Sequence, residues 1–283
     1  MCKLIDGKVI SAAVKERVRG EVSALKEKGI TTGLAVIIVG EDPASKVYVA
    51  NKKKACEALG IISEEYALPE STTEEELLSL IDTLNKKESI NGILCQLPLP
   101  RHLDEAVVIN AISADKDVDA FHPVNVGKIM QGDYDFVPCT PAGIMEMLDF
   151  SGIEISGKSC VVIGRSNIVG KPMSMLLLHK NGTVTICHSK TENLKEVCKN
   201  ADILVAAVGR PNFVTAVMVK EGAVVIDVGI NRVDGKLIGD VKFDEVAPKA
   251  SYITPVPGGV GPMTIAMLMQ NTLTAAKKQN KVI

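Results

Sequence analysis

Apolar runs of strand length alternate with helical patterns along the chain, and this alternation is the feature that most constrains the fold. In the first half, the runs predicted as strands are LAVIIVG (34–40), GIISEEYAL (60–68) and GILCQLPL (92–99). Helical patterns occupy 44–60 and 72–87 between them, and another at about 8–28 precedes the first strand. Strands that alternate with helices predict parallel sheets covered by helices on both faces.

A second series of the same kind begins after a segment rich in Asp, Gly and Pro at 115–141, which we expect to be a loop between two domains. The strands predicted there are SCVVIG (159–164), TVTICHS (183–189), ADILVAAVG (201–209) and GAVVIDVG (222–229), and they are followed by a hairpin at 231–240 and a last helix at 263–279. A chain of 283 residues has room for about two domains. We therefore expect an α/β fold of two three-layer lobes with a cleft between them. Residues 1–139 are expected to form the first lobe, and 140–263 a Rossmann-like second lobe.

Composition excludes several classes of function. The formal net charge is -2 and only 3% of residues are aromatic, so neither nucleic acid nor an anionic membrane is an expected partner. The first ten residues lack the apolar core of a secretory signal, and no apolar run reaches the roughly 18 residues of a membrane span. The seven cysteines are scattered without a CxxC pair, which indicates reduced thiols in a cytoplasmic protein and no metal site.

The stretch GRSNIVGKP (164–172) has the position of a phosphate-binding loop, because a strand precedes it and a helical pattern follows. It is not a Walker loop, since five residues separate Gly164 from Gly170 and Pro172 stands where Ser or Thr would bind magnesium. It also departs from the dinucleotide fingerprint GxGxxG, because Ser166 replaces the second glycine. A plain strand-to-helix turn is the alternative to a pyrophosphate site.

The end of the next predicted strand favours NADP over NAD. An NAD site places a carboxylate there for the ribose hydroxyl, whereas TVTICHSKT ends in His188, Ser189 and Lys190. A hydroxyl and cations suit a 2′-phosphate, and we expect Arg165 in the glycine turn to point toward the same place. Glu192 follows directly, so the strength of this preference stays open.

The first half carries a set of polar candidates. Tyr48 and Lys52 are four residues apart and so share one helix face, where a partly desolvated lysine is able to transfer protons. A solvated KKK run is the simpler interpretation, which we accept for Lys53 and Lys54. The Tyr-x-x-x-Lys pair of short-chain dehydrogenases is excluded by chain order, because that pair follows the nucleotide loop.

Three other segments have both structural and functional interpretations. Gln96 ends an apolar strand, at the sheet edge where ligands of α/β proteins bind, but it also suits ordinary loop hydrogen bonds. Asp119 is one of three aspartates in a loop, and two of these suit turns. The segment PGGVGPMT (257–264) allows close approach of a ligand to backbone, or forms a hinge, before a helix that starts at Met263 or Thr264.

Seven segments in this order together resemble the bifunctional methylenetetrahydrofolate dehydrogenase/methenyltetrahydrofolate cyclohydrolase family over nearly the full length. They are YVANKKKAC, GILCQLPLP, KDVDAFHP, PCTPAGIMEML, GRSNIVGKPM, DVGINRV and TPVPGGVGPMT. The resemblance implies oxidation of the methylene bridge of the folate with hydride transfer to NADP, followed by hydrolysis to 10-formyltetrahydrofolate. It also implies a homodimer and a C-terminal helix, 264–283, that packs on the first lobe.

The resemblance further implies roles for individual residues. Lys52 would transfer protons in the hydrolysis, Tyr48 would stack near the pterin, Gln96 would hydrogen-bond Lys52, and Asp119 would anchor the pterin N–H groups. The substrate-binding positions that it implies are Tyr48, Val49, Ala50, Asn51, Lys52, Cys95, Gln96, Leu97, Asp119, Pro257, Gly258, Gly259, Val260 and Gly261. The cofactor-binding positions that it implies are Gly164, Arg165, Ser166, Ser189 and Ile230.

This chain departs from the family pattern at three positions. Cys95 replaces a more usual aliphatic residue, Lys171 replaces arginine, and Ala120 follows Asp119 where glycine is common. We expect the methyl group of Ala120 to restrict the loop that carries Asp119. Two other functions are weighed against the leading one: a family member with a single activity, and an NADP-sensing binding protein without turnover. Loss of the cyclohydrolase would require changes around Lys52, and the sequence shows none, whereas intact Tyr48, Lys52, Gln96 and Asp119 argue against the binding protein.

Overall fold

The computed structural model describes residues 2–282. In chain order its strands are β1 (Lys3–Leu4), β2 (Gly33–Val39), β3 (Ile62–Leu68), β4 (Gly92–Cys95), β5 (Ser159–Ile163), β6 (Thr183–Cys187), β7 (Ile203–Ala206), β8 (Val224–Asp227), β9 (Asn231–Val233), β10 (Lys236–Ile238) and β11 (Tyr252–Ile253). Its α-helices are α1 (Gly7–Glu27), α2 (Pro43–Leu59), α3 (Glu74–Lys86), α4 (Glu105–Ala111), α5 (Pro123–Gln131), α6 (Cys139–Phe150), α7 (Gly170–His179), α8 (Leu194–Lys199), α9 (Phe243–Val246) and α10 (Val260–Gln279). The mixed α/β class predicted from the alternation is confirmed.

Residues Ala13–Cys139 and the chain from Ile265 onward form one compact unit, here called the three-stranded unit. Its sheet is parallel, in the order β3-β2-β4. All seven residues of β2 are buried, so the central strand is covered on both faces. One face packs against α3 and α4 through a cluster that includes Ile37, Ile81 and Val108.

Residues up to Ala12 and Thr140–Thr264 form the other compact unit, here called the six-stranded unit. Its parallel sheet has the order β1-β11-β8-β7-β5-β6. After β5 the chain goes to β6 on one side and then returns to β7 on the other. The carboxyl ends of β5 and β7 therefore flank a topological switch point, which is the ligand-binding crevice of open α/β sheets.

The structure corrects several expectations about the elements. We assigned residues 1–139 to the first lobe, whereas the segment up to Ala12 belongs to the six-stranded unit because β1 pairs in parallel with β11. The expected loop at 115–141 contains the whole of α5 and the start of α6. The last helix starts at Val260 instead of Met263. Two-residue strands and a nine-residue helix give short patterns that periodicity does not resolve.

Within residues 2–282 no helix combines the length and the hydrophobicity that a membrane crossing requires.

Candidate functional site

Lys52 lies on α2 with 9% of its surface exposed, whereas its neighbours Lys53 and Lys54 are exposed. Its Nζ donates a hydrogen bond of 2.8 Å to Oε1 of Gln96. Burial lowers the pKa of Lys52 from its usual 10.5, against the opposing effect of the nearby Asp119 carboxylate. A lysine in this state exchanges its proton more readily than a solvated one.

Gln96 directly follows β4, and its backbone N–H donates to the carbonyl of Ile37 on β2 at 2.8 Å. Its side-chain Nε2 donates to the carbonyl of Leu97 at 2.7 Å. This bond fixes the orientation of the amide, because it leaves Oε1 as the atom that faces Lys52. The hydrogen bond that the resemblance implied between Gln96 and Lys52 is therefore present.

Asp119 lies in the loop between α4 and α5 and is partly buried. Burial raises the pKa of its carboxyl to about 6, although the positive charge of Lys52 works in the opposite direction. Ala120 has φ 59°, in the left-handed region that glycine adopts without strain. A β-carbon in that conformation costs about 1 kcal/mol, which explains why glycine suits this position.

The remaining predicted substrate positions of the three-stranded unit differ in exposure. Tyr48 is 46% exposed one helical turn before Lys52, and Ala50 and Asn51 are also exposed. Val49 and Cys95 are buried, and Leu97 is partly buried. Burial raises the pKa of Cys95 to about 12, so its thiol remains neutral and behaves as an apolar group.

Gly164 directly follows β5 with φ +132°, and a β-carbon at this position would lie 2.3 Å from the carbonyl oxygen of Ala207. Glycine is therefore required by both backbone conformation and space. Ser166 Oγ accepts from the backbone N–H groups of Val169 and Gly170 at 3.2 and 3.3 Å, so it caps the start of α7. This turn directs the positive end of the α7 dipole to the switch point, which suits a pyrophosphate.

The ends of β5 and β6 lie side by side, because Ile163 pairs with Cys187 and the Gly164 N–H donates to the Cys187 carbonyl at 2.9 Å. Arg165 and Ser189, which follow these strands, are both exposed at the same edge of the sheet. The segment after β6 is ordered by a bond of 2.8 Å from the His188 N–H to the Thr191 hydroxyl. The exposed hydroxyl and guanidinium fit a 2′-phosphate better than a carboxylate would.

The segment 257–261 and Ile230 both belong to the six-stranded unit. Pro257 is exposed, Gly258 and Gly261 are partly buried, and Gly259 and Val260 are buried. Ile230 is 48% exposed, and its Cδ1 lies 3.3 Å from where a β-carbon of Gly261 would stand. Ile230 and Gly261 are therefore neighbours, whereas Lys52 and Asp119 lie in the three-stranded unit.

Sequence reasoning missed the residues that hold the Asp119 loop. Asp117 Oδ2 accepts from the His122 N–H at 2.8 Å and from Asn125 Nδ2 at 2.9 Å, within the same loop and the start of α5. Asn271 on α10 donates to the carbonyls of Val118 and Val137 at 2.8 and 2.9 Å. The KDVD motif was the available signal for Asp117, but nothing in sequence links Asn271 to a position more than 150 residues away.

Among residues 2–282, no group of three or more His, Cys, Asp or Glu side chains is arranged to hold a metal ion.

Two family models match this chain in succession. The tetrahydrofolate dehydrogenase/cyclohydrolase catalytic domain matches residues 5–119, and the NAD(P)-binding domain of the same family matches residues 138–280. The chain belongs to the tetrahydrofolate dehydrogenase/cyclohydrolase family. The resemblance seen in the seven sequence segments is thereby confirmed.

Individual members of the family match over almost their whole length. The bifunctional protein FolD of Acetivibrio thermocellus is 64% identical over 281 residues, which cover 99% of each chain. The crystal structure of the bifunctional enzyme FolD, methylenetetrahydrofolate dehydrogenase/cyclohydrolase, from Campylobacter jejuni has a TM-score of 0.97 at 51% identity and covers 99% of this chain and 100% of its own. The Trypanosoma brucei methylenetetrahydrofolate dehydrogenase-cyclohydrolase, solved with NADP and an inhibitor, has a TM-score of 0.94 at 40% identity, with 99% of each chain covered.

Proposed function

We propose that this chain oxidises 5,10-methylenetetrahydrofolate to 5,10-methenyltetrahydrofolate with transfer of a hydride to NADP, and then hydrolyses the product to 10-formyltetrahydrofolate. The observation that carries the proposal is the buried Lys52 held by Gln96, in a chain that belongs to this family. Neither a member with the dehydrogenase activity alone nor a binding protein without turnover needs a desolvated lysine with a fixed amide partner.

Lys52 is the proton-transfer group of the hydrolysis in this proposal. Water adds to the methenyl carbon and gives up a proton to Lys52, which returns it to N5 as the bond between that carbon and N5 breaks. The hydroxyl proton of the adduct is released to solvent as the formyl C=O forms. The lowered pKa of Lys52 supports this role because both proton transfers occur near neutral pH. Gln96 accepts a hydrogen bond from Lys52 and so keeps the Nζ in one orientation.

Asp119 anchors the substrate, since its carboxylate is able to accept two N–H groups from the amino-pyrimidine edge of the pterin. The exposed ring of Tyr48 offers a stacking surface one turn before Lys52. The other proposed substrate-binding positions are Val49, Ala50, Asn51, Cys95 and Leu97 of the three-stranded unit, and Pro257, Gly258, Gly259, Val260 and Gly261 of the six-stranded unit. The buried members contribute through their backbone or as apolar walls.

Gly164, Arg165, Ser166, Ser189 and Ile230 hold NADP, which when bound supplies the acceptor for the hydride. The backbone of Gly164 supports this assignment, because only glycine fits both its φ of +132° and its contact with Ala207, and this conformation makes the tight turn that leads into α7. Arg165 and Ser189 face the 2′-phosphate, and the dipole of α7 favours the pyrophosphate.

The test is Lys52→Met with Lys53→Met as the matched control, since Lys53 is the adjacent exposed lysine. We expect methenyl hydrolysis in Lys52→Met to fall by a factor of about 10² to 10⁴, the usual contribution of general acid–base catalysis. Binding of NADP, measured by calorimetry, should be unchanged in both variants. Wild-type hydrolysis in a folded Lys52→Met variant would rule out the proposed role, and absence of NADP reduction by the wild type would rule out the dehydrogenase.

We also propose that the enzyme is a cytoplasmic homodimer. The outer strand β3 supports association, because it is a sheet edge with Ile62 44% exposed. Seven free cysteines, six of them buried, support a reducing compartment. Sedimentation velocity tests the dimer, and a single species at the mass of one chain, 30.1 kDa, would disprove it.

A further inference from the structure

Two buried carboxylates lie together in the six-stranded unit and belong to none of the predicted sites. Asp227 is the last residue of β8 and is 4% exposed, and Asp240 follows β10 and is fully buried. Burying two like charges is costly unless each is well hydrogen-bonded, so the arrangement needs an explanation.

Asp240 binds three consecutive backbone amides. Its Oδ2 accepts from the N–H groups of Val208 and Gly209 at 2.7 and 2.9 Å, and its Oδ1 accepts from that of Arg210 at 2.9 Å. Oδ1 also accepts from Nδ2 of Asn231 at 3.0 Å. Asp240 therefore fixes the conformation of segment 208–210, which directly follows β7.

Asp227 connects the end of β8 to the chain after β10. Its Oδ1 accepts from the N–H groups of Gly229 and Asp240 at 3.0 and 2.8 Å, and its Oδ2 accepts from that of Val241 at 2.9 Å. A β-carbon on Gly229 would lie 2.2 Å from Asp240 Oδ1, and one on Gly239 would lie 1.9 Å from Asp227 Oδ2. The packing around both carboxylates thus excludes any side chain at these glycines.

The segments held in this way adjoin the predicted cofactor residues on two sides. Val208 follows Ala207, whose carbonyl oxygen packs against Gly164 at the switch point. Ile230 follows Gly229, whose backbone N–H donates to Asp227. The position of Ile230 therefore depends on a segment that Asp227 holds. Neither aspartate touches the predicted ligand site itself, and both act on its backbone.

We propose that Asp227 and Asp240 are positioning residues of the NADP site, which hold the segments after β7 and β8 in the conformation that accepts the dinucleotide. This inference rests on the proposed cofactor site. It separates the two activities of the enzyme, because hydrolysis uses Lys52, Gln96 and Asp119 of the three-stranded unit and consumes no NADP. Replacement of either aspartate should weaken the binding of NADP, and with it the dehydrogenase activity, and should leave the rate of hydrolysis unchanged.

The variant that tests this is Asp240→Asn. Both oxygens of Asp240 accept hydrogen bonds, so an asparagine must turn its NH₂ group to at least one backbone N–H. The matched control is Asp202→Asn, because Asp202 also accepts a hydrogen bond from a backbone N–H, that of Ser159 at 2.9 Å. Asp202 directly precedes β7 and so lies at the amino ends of the strands, away from the carboxyl ends where the cofactor residues lie.

The measurements are the Kd for NADP by calorimetry, the KM for NADP in the dehydrogenase assay, the rate of methenyl hydrolysis without NADP, and the thermal unfolding midpoint. In Asp240→Asn we expect Kd and KM to rise about tenfold, as a lost charged hydrogen bond implies, with hydrolysis within about threefold of wild type. Asp202→Asn should change neither Kd nor KM.

An unchanged Kd in folded Asp240→Asn would overturn the proposal, and so would an equal loss of both activities, which would indicate general destabilisation. If Asp240→Asn does not fold, Asn231→Ala decides, since it removes only the amide that binds Asp240 Oδ1 and the Ile238 carbonyl. A raised Kd in that variant supports the proposal and an unchanged one refutes it. Failure of the proposed function is distinguishable, because it would appear in the wild type as absent turnover or absent NADP binding.

Discussion

At the scale of single residues, Asp119 has the property most open to a direct test. Its raised pKa of about 6 means that the carboxyl is charged above that pH and neutral below it. A neutral carboxyl group presents one acceptor fewer to the pterin, and its own proton competes with the N–H groups of the ligand. In the proposed role of pterin anchor, Asp119 therefore binds the substrate in the charged state that is present above pH 6.

We predict that folate affinity falls as the pH is lowered through 6, so that the apparent Kd at pH 5 is about tenfold higher than at pH 8. The measurement is a binding titration with tetrahydrofolate between pH 5 and 8. Asp119→Asn should bind weakly and without this pH dependence. A flat wild-type profile over the range would show that Asp119 does not anchor the ligand as a carboxylate.

Gly164 is the second residue whose replacement has a specific expected effect. Gly164→Ala places a methyl group 2.3 Å from a backbone oxygen at φ +132°, and we expect it to destabilise the fold by about 2–4 kcal/mol. Urea unfolding measures the change, and the Kd for NADP should rise in the same variant.

The control for Gly164→Ala is Gly222→Ala. Gly222 also has a positive φ, +77°, but no atom lies within 4 Å of its added β-carbon. That change should cost only about 1 kcal/mol. Equal destabilisation of the two variants would mean that conformation alone, and not contact with Ala207, makes Gly164 necessary.

At the scale of elements, the helices whose ends were predicted well from the sequence have clear capping residues. Thr73 begins α3 with a complete capping box, in which its Oγ1 accepts from the Glu76 N–H at 3.2 Å and Glu76 Oε2 accepts from the Thr73 N–H at 2.8 Å. Asp42 caps α2 by accepting from the Ser45 N–H at 2.7 Å, and Gly60 ends that helix in the left-handed conformation. Such local signals fix helix ends without help from the rest of the fold.

We predict that Thr73→Ala lowers the free energy of unfolding by about 1 kcal/mol through loss of the capping box. Urea unfolding of the variant gives this value. Thr83→Ala is the matched control, because Thr83 is exposed within the same helix and bonds only the Ser79 carbonyl. The control should be neutral or slightly stabilising, since alanine is the better helix former. Similar losses in both variants would argue against the cap.

At the scale of the whole molecule, the chain does not complete either compact unit in one pass. The part of α10 from Ile265 onward packs in the three-stranded unit, where Met269 and Leu273 are fully buried. Lys277 and Lys278 of the same helix pair with Glu21 and Asp135. The part of α10 from Ile265 to Gln279 is therefore part of the core of the unit that carries Lys52 and Asp119.

We predict that a chain ending at Thr264 loses methenyl hydrolysis and does not fold stably. Each large apolar side chain removed from a buried site costs about 2 kcal/mol or more, so the loss of the helix exceeds what a marginally stable domain tolerates. Circular dichroism and the hydrolysis assay measure the effect. Removal of residues 282 and 283 is the control and should change neither, because Val282 is exposed. A folded, active chain that ends at Thr264 would contradict the importance of α10.

By itself, the sequence determined the α/β class, the three strands of one sheet, the glycine turn and the polar candidates, because these depend on local periodicity and on residue type. The short strands β1 and β11 and the helix α5 escaped it, since each has too few residues for a periodic pattern. Only tertiary structure assigned the segment up to Ala12 to the six-stranded unit and brought Asn271 to the carbonyl of Val118. It also paired Asp227 with the amide of Asp240. These contacts join residues distant in sequence through backbone groups that every residue carries, so no local pattern marks them.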